Sequence, residues 1–112
     1  MAYQPKSGDI IWIDFNPQAG HEQRGRRPAL VVWGDEALRR IPMMAQVCAI
    51  SNTDHHFPLH VPLDNACQNT TGFVFCEQNR VLDLEARNAE YKDTVSKEVL
   101  EQVKGILRAL LD

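Results

Sequence analysis

The stretch GHEQRGRRP, residues 20–28, lies between two short apolar runs, DIIWIDF at 9–15 and ALVVW at 29–33. Both runs are rich in β-branched and aromatic residues and are bounded by Gly, Pro or Asn, which is typical of β-strands. The stretch between them is therefore predicted to be a loop joining two strands. It carries one His, one carboxylate, one carboxamide and three arginines, which is more charge than a turn requires. Such a loop is either a functional site or ordinary solvated surface, and composition alone does not separate the two.

The length of 112 residues predicts a single domain spanning 1–112. Twelve basic residues stand against 15 acidic ones, for a net charge of −3, so the chain as a whole has no attraction for polyanions. Binding to nucleic acid would therefore depend on a local basic patch. The candidates for that patch are Arg24, Arg26, Arg27, Arg39 and Arg40.

No stretch approaches the roughly 20 apolar residues that span a bilayer, and Asp9 and Asp14 interrupt the apolar run near the N-terminus. We therefore expect neither a membrane segment nor a signal peptide. The three cysteines are odd in number and include no Cys-x-x-Cys pair, which favours free thiols and a cytoplasmic location. Cys48 and Cys76 lie within apolar runs and are expected to be core residues.

The remaining elements follow from periodicity. Residues 34–40 predict a short helix or turn with Asp35 as N-cap, and residues 44–50, 58–63, 72–83 and 89–92 predict strands. Apolar residues recur at helical spacing from Val99 to Leu111, after Ser96 as N-cap, so the C-terminal segment is predicted to be a helix packed on the sheet. Met1 to Ser7 is expected to be poorly ordered. For Trp12, packing in the core or at an interface is favoured over a role in stacking bases.

His55, His56 and His60 suggest a metal site, because His56 and His60 would share one face of a helix. Pro58 lies between them and excludes a continuing helix. No Cys or carboxylate stands at ligand spacing, so we expect no metal here.

Two segments carry a resemblance to a known family. The first is the strand 9–15 followed by His21-Glu22-Gln23-x-Gly25-x-Arg27-Pro28, and the second is GFVFCEQNRVLD at 72–83. Together they resemble the MazF/PemK family of toxin endoribonucleases, and the likeness covers nearly the whole chain. One subgroup, Kid/PemK, has an arginine two residues before the acidic position that Glu77 occupies, whereas this chain has Phe75. A catalytic role for that arginine does not transfer, although the MazF-like branch lacks it too.

The resemblance implies a mainly β, SH3-like antiparallel barrel with a C-terminal α-helix, of the MazF/CcdB type. It also implies metal-independent, sequence-specific cleavage of single-stranded mRNA by attack of the ribose 2′-OH, without a cofactor. In that reaction Arg27 would stabilise the charge on the phosphorane and Ser51 would donate to the same oxygens. Glu22 is the first choice for the general base, with His21 and Glu77 as alternatives. Arginines beside Glu22 would lower its pKa and make it a poorer base, so the alternative role for Glu22 is to orient Arg27 or Arg24, and sequence alone leaves both roles open. The residues expected to bind RNA are Gln23, Arg24, Arg26, Asn52, Thr53, His55, His56, Phe57 and Gln78.

The family further implies a two-fold homodimer, and a cognate antitoxin whose flexible acidic segment lies across the RNA groove. A basic loop would attract such a segment. The competing hypotheses are a non-catalytic binder of the same fold, as in the gyrase-trapping CcdB-type toxins, and an inactive homologue that retains the antitoxin interface. CcdB-type toxins lack the Glu-Gln-x-Gly-x-Arg-Pro loop, so residues 22–28 favour the nuclease.

Overall fold

The computed structural model describes residues 3–16, 25–53 and 57–112. Six strands and two helices lie within these ranges. In chain order they are β1 (Asp9–Asp14), β2 (Arg26–Val31), α1 (Asp35–Arg40), β3 (Met44–Ser51), β4 (His60–Pro62), β5 (Phe73–Asp83), β6 (Glu90–Thr94) and α2 (Lys97–Leu110).

The strands form one antiparallel sheet in the order β4-β5-β3-β2-β1-β6. The predicted antiparallel architecture with a C-terminal helix is confirmed. Within the described ranges the sheet is open, with β4 and β6 as its two edges. No helix in these ranges is long and apolar enough to span a membrane.

Both faces of the sheet are apolar because successive side chains of a strand point to opposite faces. Ile10 of β1 belongs to one buried cluster, whereas Ile11 and Ile13 belong to another on the opposite face. This arrangement explains why the sequence of the first strand has apolar residues on both of its faces. Cys48 and Cys76 are fully buried in the first cluster, as predicted.

Helix α2 covers the first cluster. Ser96 caps it by accepting a hydrogen bond from the Val99 backbone N–H at 3.1 Å, as the sequence predicted. Val99 and Val103 are buried beneath the helix, and each contributes about 1.5–3 kcal/mol through removal from water. The apolar stripe of this helix therefore fixes it on the sheet.

Several predicted boundaries differ from the structure by one to three residues, and those of β2 and α1 have a clear physical reason. Strand β2 begins at Arg26 rather than Ala29, because Arg26 and Arg27 already pair with Asp14 and Ile13 of β1. The N-cap of α1 is Gly34, and Asp35 is the first helical residue. The Asp35 carboxylate instead accepts a hydrogen bond from the Ser7 backbone N–H at 2.9 Å.

The N-terminal lead-in, which was expected to be poorly ordered, makes defined contacts from Tyr3 onward. Tyr3 packs against the second cluster, and its hydroxyl donates to the buried carboxylate of Asp9. The Lys6 backbone N–H donates to the same carboxylate at 3.0 Å. Burial and the nearby Asp9 carboxylate raise the pKa of Tyr3, so this hydroxyl remains a donor.

Strand β5 lies between β3 and β4. Its later part pairs with β3, from Asn79 opposite Cys48 to Asp83 opposite Met44. Beyond a shift in register, its first residues still pair with β3, and on their other side they pair with β4. Gly72, just before β5, has φ +117°, and a Cβ placed there would lie 2.7 Å from the Ser51 carbonyl oxygen. The backbone at the end of β3 therefore packs directly against Gly72, where a side chain would not fit.

The substitution Gly72→Ala should lower the free energy of unfolding by about 1–3 kcal/mol, because the new side chain meets backbone at a conformation that L-residues avoid. The control is Gly105→Ala in α2, where a Cβ meets nothing within 4 Å. It should stabilise the chain by about 0.5–1 kcal/mol. Urea unfolding at one protomer concentration measures both, and equal stabilities of wild type and Gly72→Ala would contradict the described close contact.

Candidate active site

The pairing of β2 with its neighbours bears on Arg27 and Ser51. Arg27 pairs with Ile13 of β1, and two residues along β2 Ala29 pairs with Ala49 of β3. If that register continued for two more residues, Arg27 would lie opposite Ser51 on the same face, because side chains two residues apart on a strand share a face. These are the two residues predicted to contact the reacting phosphate, and they come from neighbouring strands of the sheet.

Ser51 is nearly buried, with 9% of its surface exposed, and ends β3 opposite Phe73 of β5. Its Oγ accepts a hydrogen bond from the Thr53 backbone N–H at 3.2 Å. Because a hydroxyl both accepts and donates, this contact orients the oxygen while the hydroxyl proton remains a donor. Asn52 and Thr53, both predicted to bind RNA, are exposed immediately after it.

An ion-pair cluster holds the base of the β1–β2 hairpin. The Arg26 guanidinium donates to the Asp14 carboxylate at 3.0 Å and also pairs with Glu90 of β6. Asn88 donates to the same Asp14 carboxylate at 2.9 Å. These donors, Asn88 first and then Arg26, hold the pKa of Asp14 below its usual range. Arg26, predicted only to bind RNA, is thus also a structural residue.

A cleft of about 330 Å³ opens beside this cluster. Arg27 and Asn52 line the cleft, and Asn52 directly follows Ser51 in the sequence. Trp12 lines it too and is 37% exposed, so it is not a core residue, whereas packing at an interface stays a prediction. The reason is the alternation of β1, which directs Ile11 and Ile13 into the second core cluster and leaves Trp12 at the open end of the opposite face.

The far wall of the cleft is the loop at residues 69–71, which β6 holds in place. The Asp93 carboxylate accepts from the Asn69 backbone N–H at 2.8 Å, and the Lys92 ammonium donates to Thr70 Oγ1 at 2.9 Å. Burial acts to raise the pKa of Asp93, but N–H donors from Asn69 and Thr94 outweigh burial, so its pKa lies below the usual range. The wall is therefore held by Lys92 and by the Asp93 carboxylate, whose lowered pKa keeps it ionised at neutral pH.

Glu77 has a partner of its own. It lies on the irregular part of β5, where its Oε2 is 2.9 Å from Nε2 of His60. The His60 side chain is 5% exposed and stacks on Phe75 with ring centroids 3.7 Å apart. Phe57, which is 44% exposed, contacts the same imidazole edge-on at 5.1 Å. Phe75, where a family subgroup has arginine, thus supports a histidine that pairs with Glu77.

The other predicted positions fall into three groups. Gln78 is partly exposed beside Glu77 on β5. Arg39 and Arg40 are not part of the basic patch, because α1 follows the opposite end of β2 and both side chains pair with Glu36. The predicted residues outside the described ranges are His21, Glu22, Gln23, Arg24, His55 and His56.

The sequence did not identify Lys92 or the loop at 69–71 as part of the site. Lys92 stands alone among acidic and polar neighbours at 90–94, so no basic cluster marks it. Its place depends on the irregular pairing of β1 with β6, where the register shifts between Ile10 and Ile11. Sequence patterns do not report such shifts.

The assembled residues suit a polyanion with unpaired bases. Arg26, Arg27 and Lys92 line one cleft with an exposed indole, in a chain whose net charge is −3. Guanidinium groups donate paired hydrogen bonds to phosphate oxygens, and aromatic rings accept unstacked bases. The arrangement therefore concentrates positive charge where the hairpin meets the end of β3.

Comparison with known proteins agrees with this geometry. Residues 6–111 match the family described as the PemK-like, MazF-like toxin of type II toxin–antitoxin systems. The Escherichia coli endoribonuclease PemK is 33% identical over 106 residues, covering 93% of this chain and 80% of PemK. The endoribonuclease toxin MazF of E. coli K12 is 33% identical over 110 residues, covering 97% of this chain and 96% of MazF.

A solved structure shares the fold. MazF from Deinococcus radiodurans superposes with a TM-score of 0.88 at 35% identity, with 98% of each chain covered. The same organism's MazE–MazF complex superposes with a TM-score of 0.82 at 36% identity, covering 98% of this chain and 97% of the matched chain. The chain therefore belongs to the PemK-like, MazF-like toxin family of type II toxin–antitoxin systems.

Proposed function

We propose that this endoribonuclease is the toxin of a toxin–antitoxin pair and cleaves single-stranded mRNA at specific sequences without a metal ion. The observation that supports the proposal is the pairing of β2 with β3, whose register, continued by two residues, would bring the exposed Arg27 beside the nearly buried Ser51 next to a cleft that Arg26 and Lys92 line. The 33% identity to named endoribonucleases over most of the chain supports the same reaction class.

In the proposed reaction the ribose 2′-OH attacks the adjacent phosphorus, the 5′-oxygen leaves, and the phosphorane between them carries added negative charge. Arg27 is always cationic and donates two parallel hydrogen bonds, so it stabilises that charge as it develops. The Ser51 hydroxyl, oriented by the Thr53 N–H, donates to the same oxygens. The products are a 2′,3′-cyclic phosphate and a 5′-hydroxyl.

Proton transfer is assigned to the hairpin loop, with Glu22 as the first choice for the base and His21 as the alternative. The position of Glu77 supports this assignment, because its carboxylate already pairs with the buried His60 imidazole at 2.9 Å. A carboxylate held by a neighbouring imidazole is poorly placed to exchange a proton with the substrate. We assign Glu77 and Gln78 to the RNA-binding surface.

Two partners are proposed, each on a surface of its own. The proposed antitoxin uses a flexible acidic segment to cover the basic cleft, and the MazE–MazF complexes support a partner of this class. The proposed homodimer uses apolar surface beside the C-terminal end of α2. Leu110 is 46% exposed there, Leu111 is 87% exposed, and both line a 430 Å³ groove with Trp33. Cleavage of mRNA places the protein in the cytoplasm.

Substitution of Arg27 tests the nuclease assignment. Arg27→Ala should lower the cleavage rate of a long single-stranded RNA about 100-fold or more, because one preorganised donor to the developing charge is lost. Arg39→Ala is the matched control, since Arg39 pairs with Glu36 on α1 at the other end of β2, and it should cleave at the wild-type rate. Gel analysis of RNA fragments measures both. Wild-type cleavage by a folded Arg27→Ala variant would contradict the role given to this guanidinium.

Sedimentation equilibrium tests the dimer. The wild-type protein at micromolar concentration should sediment at about twice the chain mass of 12.7 kDa. Leu110→Asp should shift it toward the monomer, because an unpaired carboxylate would be buried at the apolar interface. Leu110→Met keeps the apolar surface and should remain dimeric. A wild-type protein that sediments at 12.7 kDa would overturn the proposal.

A further inference from the structure

The cleft beside the Arg27–Ser51 pair has a flat apolar floor. Trp12 of β1 and Pro28 of β2 are directly opposite each other in the antiparallel ladder, and both line the cleft. Trp12 keeps 37% of its surface exposed, although the same strand buries Ile11 and Ile13 completely. An exposed indole next to a proline ring is a surface on which a planar base can pack.

Two cations flank this floor, and both are held in place by contacts. The Lys92 ammonium lies 5.1 Å from the centre of the Trp12 ring and donates to Thr70 Oγ1 at 2.9 Å and to the Asn69 carbonyl. On the other side, Arg26 is fixed by Asp14 and Glu90. Charges fixed before binding lose little conformational entropy when a ligand arrives. The floor thus lies between two preorganised positive groups.

The rest of the lining consists of neutral hydrogen-bonding groups. Asn52, Thr71 and Asn69 supply carboxamide and hydroxyl groups, and the Thr71 hydroxyl donates to the Asn52 carboxamide oxygen at 3.2 Å. Such groups read the edges of unpaired bases. An acidic peptide would use the cations but would need neither the flat floor nor these groups, so the lining favours a nucleotide.

We propose that this cleft binds one unpaired nucleotide of the RNA next to the cleaved bond, with its base on Trp12 and a phosphate between Lys92 and Arg26. The inference rests on the proposed function, because it names a subsite beside the residues assigned to cleavage. Arg27 follows Arg26 on β2 and also lines the cleft, so a strand bound there lies one residue away from the position assigned to cleavage. Trp12 and Lys92 are assigned to binding, and the reaction itself does not require them.

Tryptophan fluorescence reads the subsite directly. The chain has two tryptophans, so Trp33→Phe leaves Trp12 as the sole reporter. The probes are short 2′-O-methyl oligonucleotides, which lack the attacking hydroxyl and cannot be cleaved by the proposed route. Their binding, followed separately by anisotropy of a labelled strand, should quench Trp12 fluorescence with the same dissociation constant. A synthetic polyglutamate peptide at equal charge should quench Trp12 less than the oligonucleotides do, because it has no planar base to pack on the indole.

Substitutions supply the second measurement. Trp12→Ala should weaken oligonucleotide binding about tenfold or more, and Trp12→Phe should restore most of it. Lys92→Met should lower the salt dependence of log K by about 0.7, the value of one phosphate contact on a single strand. Arg39→Ala, at the other end of β2, should change neither quantity.

The outcomes separate this inference from the proposed function. If oligonucleotides bind while Trp12 fluorescence and the Trp12→Ala affinity stay unchanged, RNA binds elsewhere and the subsite is wrong although the nuclease stands. If only the acidic peptide quenches Trp12, the cleft is a peptide site. If the protein neither binds nor cuts any single-stranded RNA, the proposed function itself fails.

Discussion

The fold and the site both depend on the register of β2 between its two neighbours. Pairing of Arg27 with Ile13 and of Ala29 with Ala49 fixes which residues bury and which reach the open end of the sheet. Because side chains alternate along a strand, a slip of one residue would exchange the two faces of β2 and separate Arg27 from Ser51. The buried clusters on both faces oppose such a slip, so core packing enforces the geometry of the site.

A second constraint is the local distribution of charge on a mildly acidic protein. With a net charge of −3, the chain has no long-range attraction to RNA, so the proposed RNA binding would depend on a few cations held at one end of the sheet. Acidic residues contribute to that arrangement. Asp14 fixes Arg26, and Asp93 fixes the loop that Lys92 contacts. The same cations would attract the proposed acidic segment of an antitoxin. That segment would then compete with RNA for one site.

Periodicity and cap chemistry predicted most elements, because they depend on near neighbours. The Ser96 cap and the stripe beginning at Val99 are examples. The joint role of Arg27 and Ser51 was implied only by the family resemblance, because no local pattern links two residues so far apart in sequence. Contacts that depend on irregular strand pairing were not predicted from the sequence. The exposed Trp12 beside Lys92 depends on the shift between β1 and β6, and the pairing of Glu77 with His60 depends on the shift in β5. No local pattern encodes these.

The central claim is a transesterification that the protein's own side chains carry out on single-stranded RNA. Its most direct test is analysis of the fragment ends after incubation of the purified protein, in EDTA, with a long RNA in single-stranded and duplex forms. We expect discrete cuts in the single strand alone, each leaving a 2′,3′-cyclic phosphate and a 5′-hydroxyl. Intact RNA from the folded protein, or fragments that end in a 5′-phosphate and a 3′-hydroxyl, would contradict it.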